Sequence, residues 1–150
     1  MERIPPEVRI LPMNRQKEFT QCKSVEDVQE QFFLDELPSR DNCGYLLYTG
    51  LKAEPDTIIL FQSDCSIIAS AVLCNYQRFQ RPDSDGYKGC LFLERNSIRV
   101  FDPVPESTII GIRPNVKQLG QVKWYLNPKG YAVFESILHN VRMWPGTFTP

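Results

Sequence analysis

A single histidine, His139, bounds the acid–base and metal chemistry open to this chain of 150 residues. A multi-histidine metal site needs more than one imidazole, and a Ser–His or Cys–His dyad would have to use that residue. The five cysteines, Cys22, Cys43, Cys65, Cys74 and Cys90, are odd in number, and no two have CxxC spacing. That argues against a disulfide framework or a tetrahedral zinc site and points to a reducing, cytoplasmic setting. Pro55-Asp56 and Pro82-Asp83 each begin like a metal-dependent nuclease motif. Neither leads to the acid-x-Lys that such chemistry needs, since Glu94-Arg95-Asn96 lacks the lysine. The stretch Gly86 to Gly89 is too short for a phosphate loop and has no following Ser or Thr. No catalytic residue, metal or cofactor is expected from these patterns.

Binding chemistry is better represented. Tyr45, Tyr48, Phe61, Tyr76, Trp124 and Trp144 offer π-faces on which a base could stack. Gln62 and Asp64 stand at a strand end where polar groups could read a base edge, and Lys123 precedes the Trp124-Tyr125 pair. For any one of these aromatics core packing is the commoner role, since a ring buries much apolar surface without a ligand. Arg78, Arg81, Lys88, Arg95 and Arg99 flank the loop and hairpin that follow Tyr76 and are candidates to hold phosphates, as Lys123 is. Phe79, between Arg78 and Arg81 in a polar stretch, is harder to assign to a core. Net charge is only −1, but it is uneven. Residues 1–75 carry seven Lys/Arg and twelve Asp/Glu, and residues 76–150 carry ten and six, so the halves stand at −5 and +4. The second half could hold phosphates locally.

These residues must be positioned by one compact domain, since 42% of the chain is hydrophobic and its charge is nearly balanced. The longest apolar run, Ser66 to Cys74, falls well short of the roughly 20 residues of a membrane span. Residues 1–13, with Pro5, Pro6 and Pro12, read as an extended arm without a secretory signal. Residues 14–38 form an N-terminal helical segment, with Ser24 as N-cap and a helix from about Val25 to Glu36 ended by Pro38. Residues 44–112 form a β-rich core. Its strands are predicted at Tyr45–Thr49, Thr57–Gln62, Ser66–Tyr76, Tyr87–Leu93, Ser97–Phe101 and Thr108–Ile112. Residues 113–150 close the domain. A helix there begins with Pro128 at its first turn, carries Tyr131, Phe134, Ile137, Leu138 and Val141 on one face, and stops at Trp144-Pro145-Gly146.

The segment Gly50 to Leu73 resembles the central hairpin of the PUA-like superfamily, which includes the PUA, ASCH, EVE and YTH families. Pro55-Asp56 stands where those domains have a Gly-Asp turn, and Ile67-Ile68-Ala69-Ser70-Ala71-Val72 stands for the second strand. The resemblance spans residues 40–140. It implies an α+β fold whose curved mixed sheet closes into a small pseudo-barrel between an N-terminal and a C-terminal helix. It further implies a non-enzymatic nucleic-acid-binding module, DNA or RNA, that holds a flipped or modified base in an aromatic pocket. Such a module would serve as the recognition part of a larger restriction or defence system. Two other readings stand beside it. One is a protein-interaction or structural module, supported by the acidic first half. The other is a small ASCH-like hydrolase, resting on Gly50 and Lys52, although the arginine of that signature is missing.

Overall fold

A computed structural model of the chain describes residues 7–13, 24–47, 54–112, 125–126 and 128–143. The middle of the fold is a hairpin of β3 (Ile58–Ser63) and β4 (Ser66–Arg78). Its two-residue turn, Asp64-Cys65, has φ of 49° and 66°. That left-handed pair matches the right-handed twist of the flanking strands. β4 is thirteen residues long and carries the rest of the sheet on its two sides. Its first half pairs with β3 and with β6 (Arg99–Pro105), and its second half pairs with β5 (Gly89–Leu93).

β2 (Gly44–Leu47) lies antiparallel to β5, and β1 (Val8–Pro12) lies parallel to β3. Two short strands, β7 (Tyr125–Leu126) and β8 (Arg142–Met143), pair with β1 and β6. The result is one eight-stranded mixed sheet, in which the path β2-β5-β4-β3-β1-β7 is joined by a β6–β8 branch from β4. The end strands β2 and β7 do not pair among the described residues, so the closed barrel expected from the sequence is not formed there; the α+β class stands.

Strand alternation divides the apolar side chains between two cores. Ile59, Phe61, Ala69, Ala71 and Leu73 face one core, together with Tyr45 and Leu91. Val8, Ile10, Leu60, Ile67, Phe101 and Val104 face the other. The first core is covered by a continuous helical segment, α1, made of Val25–Asp27, a π-wound stretch Val28–Glu36, and Leu37–Ser39. Ser24 caps it as expected, its Oγ accepting from Asp27 N at 3.2 Å. The helix continues through Pro38 by only one residue, to Ser39, and the proline withholds its N–H from the ladder of that last turn. Buried Phe32 and Phe33 meet edge to face at 5.1 Å. The second core is closed by α2 (Glu106–Ile112), through Ile109, and by α3 (Pro128–Ser136), through Phe134.

Gln29 is the one buried polar residue of α1, and it serves a defect in the sheet. Ile68 is skipped in both of β4's ladders: Gln62 pairs Ile67 and Phe61 pairs Ala69 on one side, while Val104 pairs Ile67 and Val100 pairs Ala69 on the other. Such a bulge leaves carbonyls without ladder donors. The Gln29 amide donates to Ile68 O at 2.9 Å and to Phe101 O at 2.7 Å. Helix α1 is thereby locked to the sheet at its irregular point.

Three expectations for individual elements are corrected. Thr108–Ile112 belongs to helix α2 and not to a strand, because Ile109 docks into the second core and tertiary packing overrides β-branched propensity. The closing helix ends at Ser136 and does not run on to Trp144. The chain reverses through Asn140, at φ 54°, to place β8 against β6, and Val141 is left exposed. Residues 8–12 of the expected arm are β1, set between β3 and β7.

Candidate nucleic-acid interface

The second half of β4 leaves the body of the sheet and forms, with β5, a ribbon that carries several of the sequence candidates. Tyr76 pairs Leu91 and Arg78 pairs Gly89; beyond them Phe79 N donates to Lys88 O at 2.9 Å. Gly89 is required by close approach. A Cβ there would meet Gln77 O at 2.8 Å and the Tyr76 ring at 3.2 Å, so that ring lies across the glycine. The loop at the tip is built by Asp83, whose Oδ1 accepts from Asp85 N at 3.0 Å and Tyr87 N at 2.9 Å. Gly86, at φ 89°, completes the turn. Arg78, Arg81 and Lys88 are exposed, and their side-chain cations have no carboxylate partner among the described residues. Gly89→Ala should cost about 1–2 kcal/mol and shift the Tyr76 ring resonances, because the nearest obstacle is a backbone carbonyl. Unchanged stability and spectra would show that the ribbon yields freely.

Other candidates have structural roles. Arg95 is spent on the end of α1: its Nε donates to Pro38 O at 2.7 Å and its Nη2 to Arg40 O at 3.3 Å, satisfying carbonyls that the helix leaves open. Tyr45 and Phe61, expected to line a base pocket, are core residues. Tyr45 is 3% exposed and Phe61 is fully buried, with ring centroids 5.1 Å apart and Phe32 and Phe33 packed against them. Burying two large rings stabilises the fold without any ligand. Gln62 is buried near the end of β3, its Oε1 without a hydrogen-bond partner among the described residues, and Asp64 sits in the exposed hairpin turn. Tyr125 is a residue of β7 opposite Arg9. Tyr48, Lys52, Lys123, Trp124 and Trp144 lie outside the described residues, and with Lys52 goes the residue on which the hydrolase reading turns.

The structure also assembles a site that the sequence did not announce. Ser70, Arg99 and Met143 are register partners across β4, β6 and β8. With Ile58 and Val72 they floor a cleft of about 410 Å³, and Tyr131 and Glu135 of α3 wall it. Arg99 donates from Nε to Ser70 Oγ at 2.7 Å, from Nη1 to Glu135 Oε2 at 3.0 Å, and from Nη2 to Tyr131 OH at 3.1 Å. Nη2 and Tyr131 OH both also donate to Glu135 Oε1. Burial alone pushes the Glu135 carboxyl up, but the hydrogen bonds from Arg99 and Tyr131, with the Arg99 charge, outweigh it and hold the group below its ordinary value. Burial and the bond to Glu135 push the Tyr131 phenol well above its usual range. The i, i+4 spacing of Tyr131 and Glu135 was readable as one helix face, but their meeting with Arg99 was not. Among the described residues no cluster of His, Cys, Asp and Glu could hold a metal ion, and no helix is long and apolar enough to cross a membrane.

No protein-family model and no curated protein matches the chain. Solved structures do. The ASCH protein of Zymomonas mobilis superposes with a TM-score of 0.57 at 9% identity, covering 87% of this chain and 95% of that one. A tyrosine-to-phenylalanine variant of that protein matches with the same TM-score at 11% identity, over 87% and 98% of the two chains. A serine-to-alanine variant does so at 10% identity, over 87% and 96%. The likeness is one of fold: the chain shares its overall architecture with that ASCH protein.

Proposed function

We propose that this chain is a nucleic-acid-binding module whose β4–β5 ribbon engages the sugar–phosphate backbone. One observation carries the reading: Arg78, Arg81 and Lys88 stand along one ribbon and its loop without carboxylate partners among the described residues, interleaved with Tyr76 and Phe79. Cations spaced along a ribbon neutralise successive phosphates, and neighbouring rings stack bases without regard to sequence. The PUA-like fold, the basic second half and the Asp83-built tip support it. The module would act as the recognition part of a larger system, on DNA or RNA.

The test is the anisotropy of a labelled single-stranded oligonucleotide, titrated with the chain over a range of salt. Affinity should fall steeply as salt rises. The combined variant Arg78→Ala, Arg81→Ala and Lys88→Ala should flatten the slope of log K against log salt by about 2. An unchanged slope, or no binding to DNA or RNA at low salt, overturns the proposal.

A further inference from the structure

The Arg99 cleft differs in kind from the ribbon, because its charge is already cancelled. Among the described residues Arg99 and Glu135 are its only charged lining residues, and they hold each other through paired hydrogen bonds. A phosphate would find no surplus positive charge there. What the cleft does offer can be counted. Arg99 has five N–H groups, of which four are engaged, so one Nη1 donor is left. Ser70 Oγ accepts from Arg99 and keeps its own proton to give. Glu135 Oε1 already accepts from both Arg99 and Tyr131, so the carboxylate keeps one lone pair, on Oε2. Ser97 has no proton left to give, since it donates to Glu94 O at 2.7 Å, and it also accepts from Val72 N at 2.7 Å. Donors and an acceptor therefore sit side by side at one end of the cleft. Ile58, Val72, Val141 and Met143 supply apolar walls around them. The volume falls in the range of small-molecule sites, which share this pattern of apolar lining and few polar groups.

We propose that this cleft takes one neutral, planar, amino-bearing heterocycle of nucleobase type, its amino group donating to Glu135 and its ring acceptor facing Arg99 and Ser70. A carboxylate accepts from an exocyclic amine and has nothing to gain from a carbonyl. Adenine, cytosine and guanine set an exocyclic amine beside a ring acceptor, whereas the N3–H of uracil is flanked by carbonyls on both sides and brings one of them against the carboxylate, so the amino-bearing bases are favoured. The site deepens the nucleic-acid reading but rests on it only for the source of the base. A free nucleoside and a base unstacked from a strand present the same edge.

The experiment follows the Met143 and Val141 methyl resonances of the labelled chain during titration with cytidine, adenosine, guanosine, uridine and ribose 5-phosphate. Amino-bearing nucleosides should move both methyls, uridine should bind at least about tenfold more weakly, and ribose phosphate should do nothing. Val141→Trp fills the cleft from its exposed rim and should abolish the shifts while methyls elsewhere keep their positions. No shift with any nucleoside, equal shifts with ribose phosphate, or binding untouched by Val141→Trp would overturn the site. Two further titrations separate it from the ribbon. Nucleoside binding without oligonucleotide binding upholds the cleft and removes the proposed function. Oligonucleotide binding that ignores both Val141→Trp and an abasic substitution upholds the ribbon and overturns the cleft as a reader of stranded bases.

Discussion

Arg99→Leu is expected to lower the stability of the chain by about 2–3 kcal/mol, a fall of roughly 5–10 °C in Tm for a domain of this size. The substitution strands the Glu135 carboxylate beside the Tyr131 phenol and takes a donor from Ser70. Arg99 is 18% exposed at its side chain and Glu135 34%, so water softens the loss below that of a fully buried pair. The pH dependence has a defined sign. Glu135 titrates low in the folded chain, so its contribution is present above the ordinary carboxylate range near 4 and is lost as pH falls through the lower folded value. Tyr131 is raised, so above about pH 10 the unfolded chain gives up its proton while the folded one keeps it, and stability drops again. The gap between Arg99→Leu and the parent chain should be widest between these limits and should narrow in acid. Adding Glu135→Leu should recover part of the loss, with a coupling of about 1–3 kcal/mol in a double-mutant cycle. Strict additivity of the two changes, or a gap that grows on acidification, would show that the ion pair carries no net stability.

Gln29→Leu should cost a similar amount, about 3 kcal/mol, by denaturant unfolding. The side chain is 3% exposed, and its amide feeds two carbonyls that the bulge at Ile68 has left without ladder partners. Leucine matches the volume but offers no donor, so both oxygens stay buried and unpaired. Gln29→Glu should be at least as damaging, because a carboxylate would face two carbonyl oxygens. Amide exchange should speed at residues 66–70 and 99–101 in both variants before it changes in the β2–β5 pair. A loss below about 1 kcal/mol would sink this account, since water or a closed bulge would then have to replace the glutamine.

What could be read from the sequence follows from which forces are local. The β3–β4 hairpin was legible because β-branched alternation and an Asp at a left-handed position are local properties. The Ser24 cap and Pro128 at the start of α3 were legible for the same reason. Thr108–Ile112 misled because Thr-Ile-Ile has strand propensity, while the decisive fact, a socket for Ile109 beneath Phe101 and Phe134, lies elsewhere in the chain. Ile137, Leu138 and Val141 fit a helical period, yet the chain turns at Asn140, whose side chain donates to Asp102 Oδ2 at 2.9 Å on β6. Tyr45 and Phe61 have the same signature whether they face a ligand or a core, and the structure places both in a core. The ribbon cations were visible as a run of Arg, Phe and Lys. The Arg99–Glu135 cluster joins residues of a strand and a distant helix, and no spacing rule reaches that far.

The parallel pairing of β1 with β3 sets an order of assembly. β1 is the first of the described strands to leave the ribosome, yet Val8 finds its partners only at Ile58 and Leu126. Closing loops of that length delays the contacts, and folding dominated by such pairings is slow. Until then the β3 edge that β1 will cover is an open template for other chains. The β3–β4–β5 meander, whose contacts are local, would form first, and docking of the N-terminal strand would be the late step that shields it. A chain deprived of residues 1–12 should therefore betray itself less by lost binding than by aggregation during synthesis and refolding.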